Sequence, residues 1–170
     1  MIEVLVAILV LSFGMLAIAG IQSYAVQLPK ISGFRAMASN LAMGHIEKMR
    51  ANKVGFANGS YDETLSYDGT NNTIALQDCA YPSCTASTLA AMDRAATNNA
   101  LRTALPAGGM RMVRDNGAGV PSTTTGNLWV IWNEPETFAA LNPSNVDNCP
   151  AEVASFTRPK PRCLYIRFTL

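Results

Sequence analysis

Between Met1 and Ile21 the chain carries one charged residue, Glu3, and one other polar side chain, Ser12. A helix of about 20 apolar residues matches the hydrocarbon thickness of a bilayer. Such a segment has no polar face to turn to water, so it requires lipid or the apolar faces of other helices. A cleaved secretory signal fits poorly. No basic n-region is present, the apolar run exceeds a usual h-region, and no small-x-small site precedes a domain start.

Glu3 is the anomaly of this segment. A carboxylate inside an apolar span costs about 2–4 kcal/mol on insertion scales. It either sits at the membrane interface, where the cost is small, or has a partner that offsets the cost.

The remaining length suits one compact domain behind an anchor, in a chain of 170 residues. Hydrophobic residues make up 49% and charged residues 15%, a mixture that can bury a core and excludes global disorder. The net charge of +1 gives no footprint for wholesale nucleic-acid binding or a polybasic membrane patch.

Helical patterning continues past the anchor. Pro29 and the Ser32-Gly33 pair are expected to kink or loosen the helix. From Phe34 to Asn52 the pattern is amphipathic: Ala38, Leu41, Ala42, Ile46 and Met49 recur at helical spacing. Arg35, Asn40, Glu47, Lys48 and Arg50 occupy much of the other side. Residues 1–28 are therefore assigned to the anchor and 29–170 to the head. Gly55 and Asn58-Gly59 signal a stop. Tyr61 to Cys84 reads as a polar loop with a short strand near Thr73 to Leu76.

Thr85 to Leu105 reads as the second helix, capped by Thr85 or Ser87. Its stripe is Leu89, Met92, Ala96, Ala100 and Ala104, with Leu101 and Leu105 at the edge. Pro106 and Gly108-Gly109 end it. Met110 to Arg114 reads as a strand and Asp115-Asn116-Gly117 as a turn. A Ser/Thr/Gly loop, a strong strand over Asn127 to Asn133, a Pro- and Asn-rich loop over Asn142 to Pro161, and a last strand over Leu164 to Thr169 complete the chain. The expected class is α+β: a long N-terminal helix packed on a small antiparallel sheet of about three strands, with a second helix.

The cysteines are Cys79, Cys84, Cys149 and Cys163, and neither local spacing is the Cys-x-x-Cys of a redox or zinc motif. Three pairings are open. Neighbour pairing, Cys79 with Cys84 and Cys149 with Cys163, is preferred. It closes a tight loop before the second helix and clips the long irregular loop to the last strand. Disulfides imply an oxidising compartment such as the periplasm or cell exterior.

With these parts placed, the sequence resembles a type IV pilin. Met1-Ile2-Glu3-Val4-Leu5-Val6 resembles the start of a mature class III signal sequence, a feature that pilins share with type II secretion pseudopilins. Leu11-Ser12-Phe13-Gly14-Met15-Leu16-Ala17-Ile18-Ala19-Gly20 and Lys48-Met49-Arg50-Ala51-Asn52 are similar to the PilV-type minor pilins, also called type IV pilus modification proteins. So are Cys84 followed by a helix ending in Leu105-Pro106-Ala107-Gly108-Gly109, the strand ending in Trp132-Asn133-Glu134, and the last strand with its cysteine.

The resemblance implies a structural subunit without catalytic residues, cofactor or metal. It is anchored by one span in the inner membrane with a periplasmic head, and assembled into the pilus, at its tip. Glu3 would pair with the N-terminal amine of a neighbouring subunit, and the helix would flex at Gly14 and Pro29. The implied partners are other minor pilins, the major pilin, a tip adhesin and the assembly machinery, so the implied roles include pilus initiation and cell adhesion. The resemblance also implies the processing and N-methylation of the family, whose precursors carry a basic leader, a cleavage-site Gly and an N-terminal Phe. The alternative is a minor pseudopilin of a type II secretion system.

Other chemistry is weaker. His45, the single histidine, reads as a helix-face residue beside the head. Asp62, Glu63, Asp68 and Asp78 read as a solvated loop and do not match an EF-hand. Arg111, Arg114, Arg158, Lys160, Arg162 and Arg167 tint the C-terminal half basic, as ordinary surface charge, so nucleic acid is not an expected partner. Trp129 and Trp132 fall on opposite faces of their strand. One belongs to the core, and the other is exposed for a partner or, by preference, covered by the second helix or a loop.

Overall fold

Three helices, a short 3-10 turn and one antiparallel sheet account for the ordered elements of the computed structural model, which describes residues 2–76, 78–80, 82–117, 119–134, 147–156 and 160–170. They are α1 (Ile2–Ala51), α2 (Lys53–Ala57), α3 (Ala86–Ala104), β1 (Gly109–Gly117), β2 (Val120–Asn133) and β3 (Pro161–Thr169), with the 3-10 turn at Ala151–Ser155. The class is α+β. The chain divides into two compact units, Met1–Gly33 and Phe34–Leu170. The described residues of the first unit are all helix.

In the second unit, α1 ends at Asn52 because that side chain begins a new helix. Its Oδ1 accepts the Gly55 N–H at 3.1 Å, capping α2, and its Nδ2 donates to the Ala86 carbonyl at 2.7 Å. A Cβ on Gly55 would stand 2.5 Å from Asn52 Nδ2 and 2.7 Å from the Ala86 oxygen, so only glycine fits this crossing. The stop signals of the sequence thus mark a break and restart, with α2 between. Thr85 caps α3 in a reciprocal box with Thr88, whose hydroxyl returns to the Thr85 N–H at 2.8 Å.

The sheet runs β1-β2-β3, all antiparallel. One face carries Met110, Met112, Leu128, Val130, Trp132 and Phe168 against Ala38, Ala42, Ile46 and Met49 of α1, with Phe56, Tyr61, Ala90, Leu101 and Leu105 closing the same core. The other face is smaller. Ile131 and Cys163 pack with Tyr67, Ala107 and Val153, flanked by Trp129, Cys149 and Phe156. The unit is therefore layered: helices, sheet, then the segment 147–156.

Several expectations are corrected. No strand forms at Thr73 to Leu76; the Ile74 backbone bonds instead to the Asn99 side chain. Asp115-Asn116-Gly117 is not the turn. β1 runs through it with a bulge between Arg114 and Asn116, and the chain reverses between Gly117 and Val120, where Gly119 has φ +84. Asp115 is held in the strand by Asn127 at 2.5 Å and Arg167 at 2.9 Å. The expected Ser/Thr/Gly loop is the first half of β2, and β3 begins at Pro161.

The buried face of α3 is also turned from the apolar stripe. Ala90, Ala95, Thr97, Asn98, Leu101 and Arg102 are buried, while Leu89, Met92, Ala96, Ala100 and Ala104 are only partly so. The reason is polar: Asn98 and Arg102 face the 61–76 segment and bond to it. In the loop expected over Asn142 to Pro161, residues 142–146 and 157–159 lie outside the described residues.

Candidate functional site in the N-terminal helix

Ile2 to Ser23 is a helix of 22 residues with mean hydropathy 2.8 and none of it buried. The large side chains stand out on every side: Leu5 is 68% exposed, Phe13 67% and Ile21 70%. At about 1.5 Å per residue it reaches the span of a hydrocarbon core. The hydroxyl in its middle is turned onto the helix itself: Ser12 Oγ donates to the Ile8 carbonyl at 2.7 Å and lies 3.0 Å from that of Leu9. Gly14 and Gly20 have nothing within 4 Å of where a Cβ would stand. Among the described residues no contact requires their smallness.

Glu3 lies beside Ile2, Val6, Ala7, Val10 and Leu11, an apolar surrounding. It has no hydrogen bond or ion pair among the described residues. Pro29 lies inside α1, where it supplies no N–H to the helical ladder, and the Ser32 hydroxyl donates to the Pro29 carbonyl at 3.0 Å.

The head holds the other sequence candidates. Cys79 is joined to Cys84 and Cys149 to Cys163, with Cα separations of 5.3 Å in each. The first bond lies just ahead of the α3 cap and the second ties the outer layer to β3. Of the four acidic residues expected in a solvated loop, Asp68 and Asp78 are exposed, whereas Asp62 and Glu63 are partly buried. Asp62 pairs with Arg114 at 3.0 Å, Asp68 with Arg102 at 3.0 Å, and Glu63 is largely buried with both oxygens accepting from Asn98. Burial pushes the Glu63 carboxyl up, against the Asn98 hydrogen bonds and the charges of Arg94 and Arg102. Among the described residues, no three His, Cys, Asp or Glu side chains converge as a metal site.

Four of the basic residues are paired: Arg111 with Glu152 at 2.8 Å, Arg114 with Asp62, Arg167 with Asp115, and Arg162 with both Glu134 at 3.2 Å and Asp147 at 3.1 Å. Arg162 is no surface charge; it is buried. Arg158 lies outside the described residues. Trp132 is in the core, and Trp129 is covered on the other face, its Nε1 donating to the Asn148 carbonyl at 2.8 Å.

His45 is buried under α3 with Nδ1 2.9 Å from Thr97 Oγ1. A hydroxyl beside an imidazole is the pattern of nucleophile and base. Here both are buried, and the Thr97 hydroxyl donates to the Asp93 carbonyl at 2.8 Å, so the pair has a structural use.

Sequence reading missed the polar residues that organise the head. Arg102 donates to the carbonyls of Asn72 and Ser66 and to Asp68. Asp147 joins Arg162 to Arg35 of α1, 3.2 Å away. A usable signal existed in α3: Thr97, Leu101 and Leu105 recur four apart, and Asn98 and Arg102 run beside them at the same spacing.

Residues 20–95 match the family model of the Tt1218-like proteins, described as type IV pilin Tt1218, over less than half of the chain. No curated protein and no solved structure matches. With the apolar helix and the α+β head, the match supports a type IV pilin-like fold and a pilin-type structural subunit, of a group that is not enzymatic.

Proposed function

We propose that the chain is a minor pilin of the type IV pilus, which helps initiate assembly within a complex of minor pilins and presents a tip adhesin. The observation that carries this reading is the Ile2–Ser23 helix, apolar along its length and with none of it buried among the described residues. Such a surface is stable in lipid before assembly and against sister helices after it.

Glu3 gives the assembled state its selectivity. Alone in an apolar setting its charge is costly; beside a neighbour's N-terminal ammonium the two charges offset each other. Gly14 and Gly20 offer backbone surface for close helix approach, a use consistent with their empty surroundings. Pro29 supplies the weak point in the ladder at which the helix bends or unwinds on packing. In this reading the helix stands in the inner membrane, the head lies in the periplasm, and both disulfides form there.

The test is Glu3→Ala. The variant should accumulate in the membrane at wild-type level and fail to co-purify with the other minor pilins and with sheared pili. Wild-type co-purification would refute the assigned role of Glu3, and a chain recovered only with a secretion system's pseudopilus would refute the pilus assignment.

A further inference from the structure

We propose that His45 is an acid-sensitive latch: adding a proton at its Nε2 releases α3 from the α1 segment of the head. The hydrogen-bond directions fix the tautomer. Thr97 Oγ1 gives its proton to the Asp93 carbonyl at 2.8 Å, so its oxygen accepts from Lys48 Nζ at 3.3 Å and from His45 Nδ1–H at 2.9 Å. Nε2 is then the nitrogen without a proton. It is buried and has no hydrogen-bond partner. A proton there creates a buried donor with no acceptor and a buried charge.

The groups around it oppose that charge. From α1 comes Lys48, and from α3 Arg94. The carboxylate of this cluster, Asp93, already accepts the Tyr61 hydroxyl at 2.6 Å. Tyr61, from the segment after α2, meets the imidazole edge-on with ring centroids 5.8 Å apart. The core cluster on that side of the sheet is built from apolar side chains such as Met110, Met112 and Leu128. Burial first, then Lys48 and Arg94, holds the imidazole down at about 3, against an ordinary value of 6.5.

The sign follows from linkage. Between pH 6.5 and about 3 the unfolded chain binds the proton and the folded head does not. Stability is full above that window and declines as pH falls through it. The unfolding constant rises about tenfold per pH unit from this group alone.

His45 is the only histidine of the chain, so an imidazole 15N label reports one site in the full-length protein in detergent micelles. The label should show the Nδ1–H tautomer and stay neutral in the folded head at pH 5. An imidazole that titrates near 6.5 with the fold intact would overturn the proposal. In parallel, melting of the head is followed by the near-ultraviolet signal of Trp129 and Trp132. The midpoint should fall more steeply below pH 6.5 in wild type than in His45→Asn, which keeps a donor for Thr97. Amides of α3 should gain exchange in acid, relative to their intrinsic rates, ahead of those of β2. Parallel melting curves, or loss of β2 protection before α3, would overturn it. Should His45→Asn not fold, the labelled wild type decides alone.

Discussion

The Asn99 side chain of α3 closes on the backbone of Ile74 at both ends: its Oδ1 accepts the Ile74 N–H at 2.7 Å and its Nδ2 donates to the Ile74 carbonyl at 2.9 Å. One amide thus gives the 61–76 segment the pair of bonds a neighbouring strand would supply. Asn99→Leu should cost about 1–2 kcal/mol, since it leaves both groups unpaired at a half-buried site. Asn99→Asp, which keeps an acceptor only, should retain part of that. Urea denaturation of the full chain checks both; equal stability of Asn99→Leu and wild type would show the contact to be incidental.

Arg102 makes the larger claim on the same segment. Arg102→Met should lower stability by about 2–3 kcal/mol, because the Ser66 and Asn72 carbonyls and the Asp68 carboxylate lose a buried donor together. Arg102→Lys should recover little, since a point charge cannot serve three acceptors set apart as a planar guanidinium does. Proteolysis near Asn71-Asn72, compared among the three proteins, gives an independent readout.

Much of this architecture is legible in the sequence, and the part that is not has a common cause. The apolar span, the helix through Met49, the Thr85 cap and the strand around Trp129 and Trp132 follow from periodicity and capping chemistry. Periodicity failed in α3, because Asn98 and Arg102 are buried by bonding partners distant in sequence. It failed at Asp115 for the same reason: local turn chemistry is overridden when Asn127 and Arg167 bind the carboxylate in the sheet. The Thr-rich first half of β2 has no apolar alternation, because at that end of the hairpin the sheet has little to bury. For the candidate site, Glu3 and the uncovered helix are evident from residue order alone. The Asp147 and Arg162 pairing is not, since it joins α1, β3 and the end of a long loop.

The two disulfides should contribute unequally. In the chain-entropy model the Cys149–Cys163 loop, with a sequence separation of 14, is worth about 3 kcal/mol and the Cys79–Cys84 loop, with a separation of 5, about 2. Burial widens the gap, because Cys163 is 4% exposed whereas Cys84 is exposed. The Cys149→Ser/Cys163→Ser double variant should therefore melt below Cys79→Ser/Cys84→Ser, and thiol labelling after mild reduction should reach Cys84 first.

Glu63 predicts a pH dependence of known sign. Its carboxyl is raised in the folded head, chiefly by burial, so the fold favours the protonated form. The stability this provides is present below about pH 4.5 and declines as pH rises through the folded value. Glu63→Gln is neutral at every pH. Its melting point should exceed wild type's at pH 7, and the difference should close below about pH 4.5. A variant less stable at pH 7 would mean that Asn98, Arg94 and Arg102 outweigh desolvation.

The outer layer of the sheet is fastened at its start, where Asp147 pairs with Arg35 and Arg162 and Cys149 is bonded to Cys163 of β3. Beyond that point, Val153 and Phe156 are the side chains that pack inward. The exposed positions Ala151, Ala154 and Ser155 can therefore change without disturbing the sheet beneath. The stretch is therefore a natural place to graft a foreign epitope.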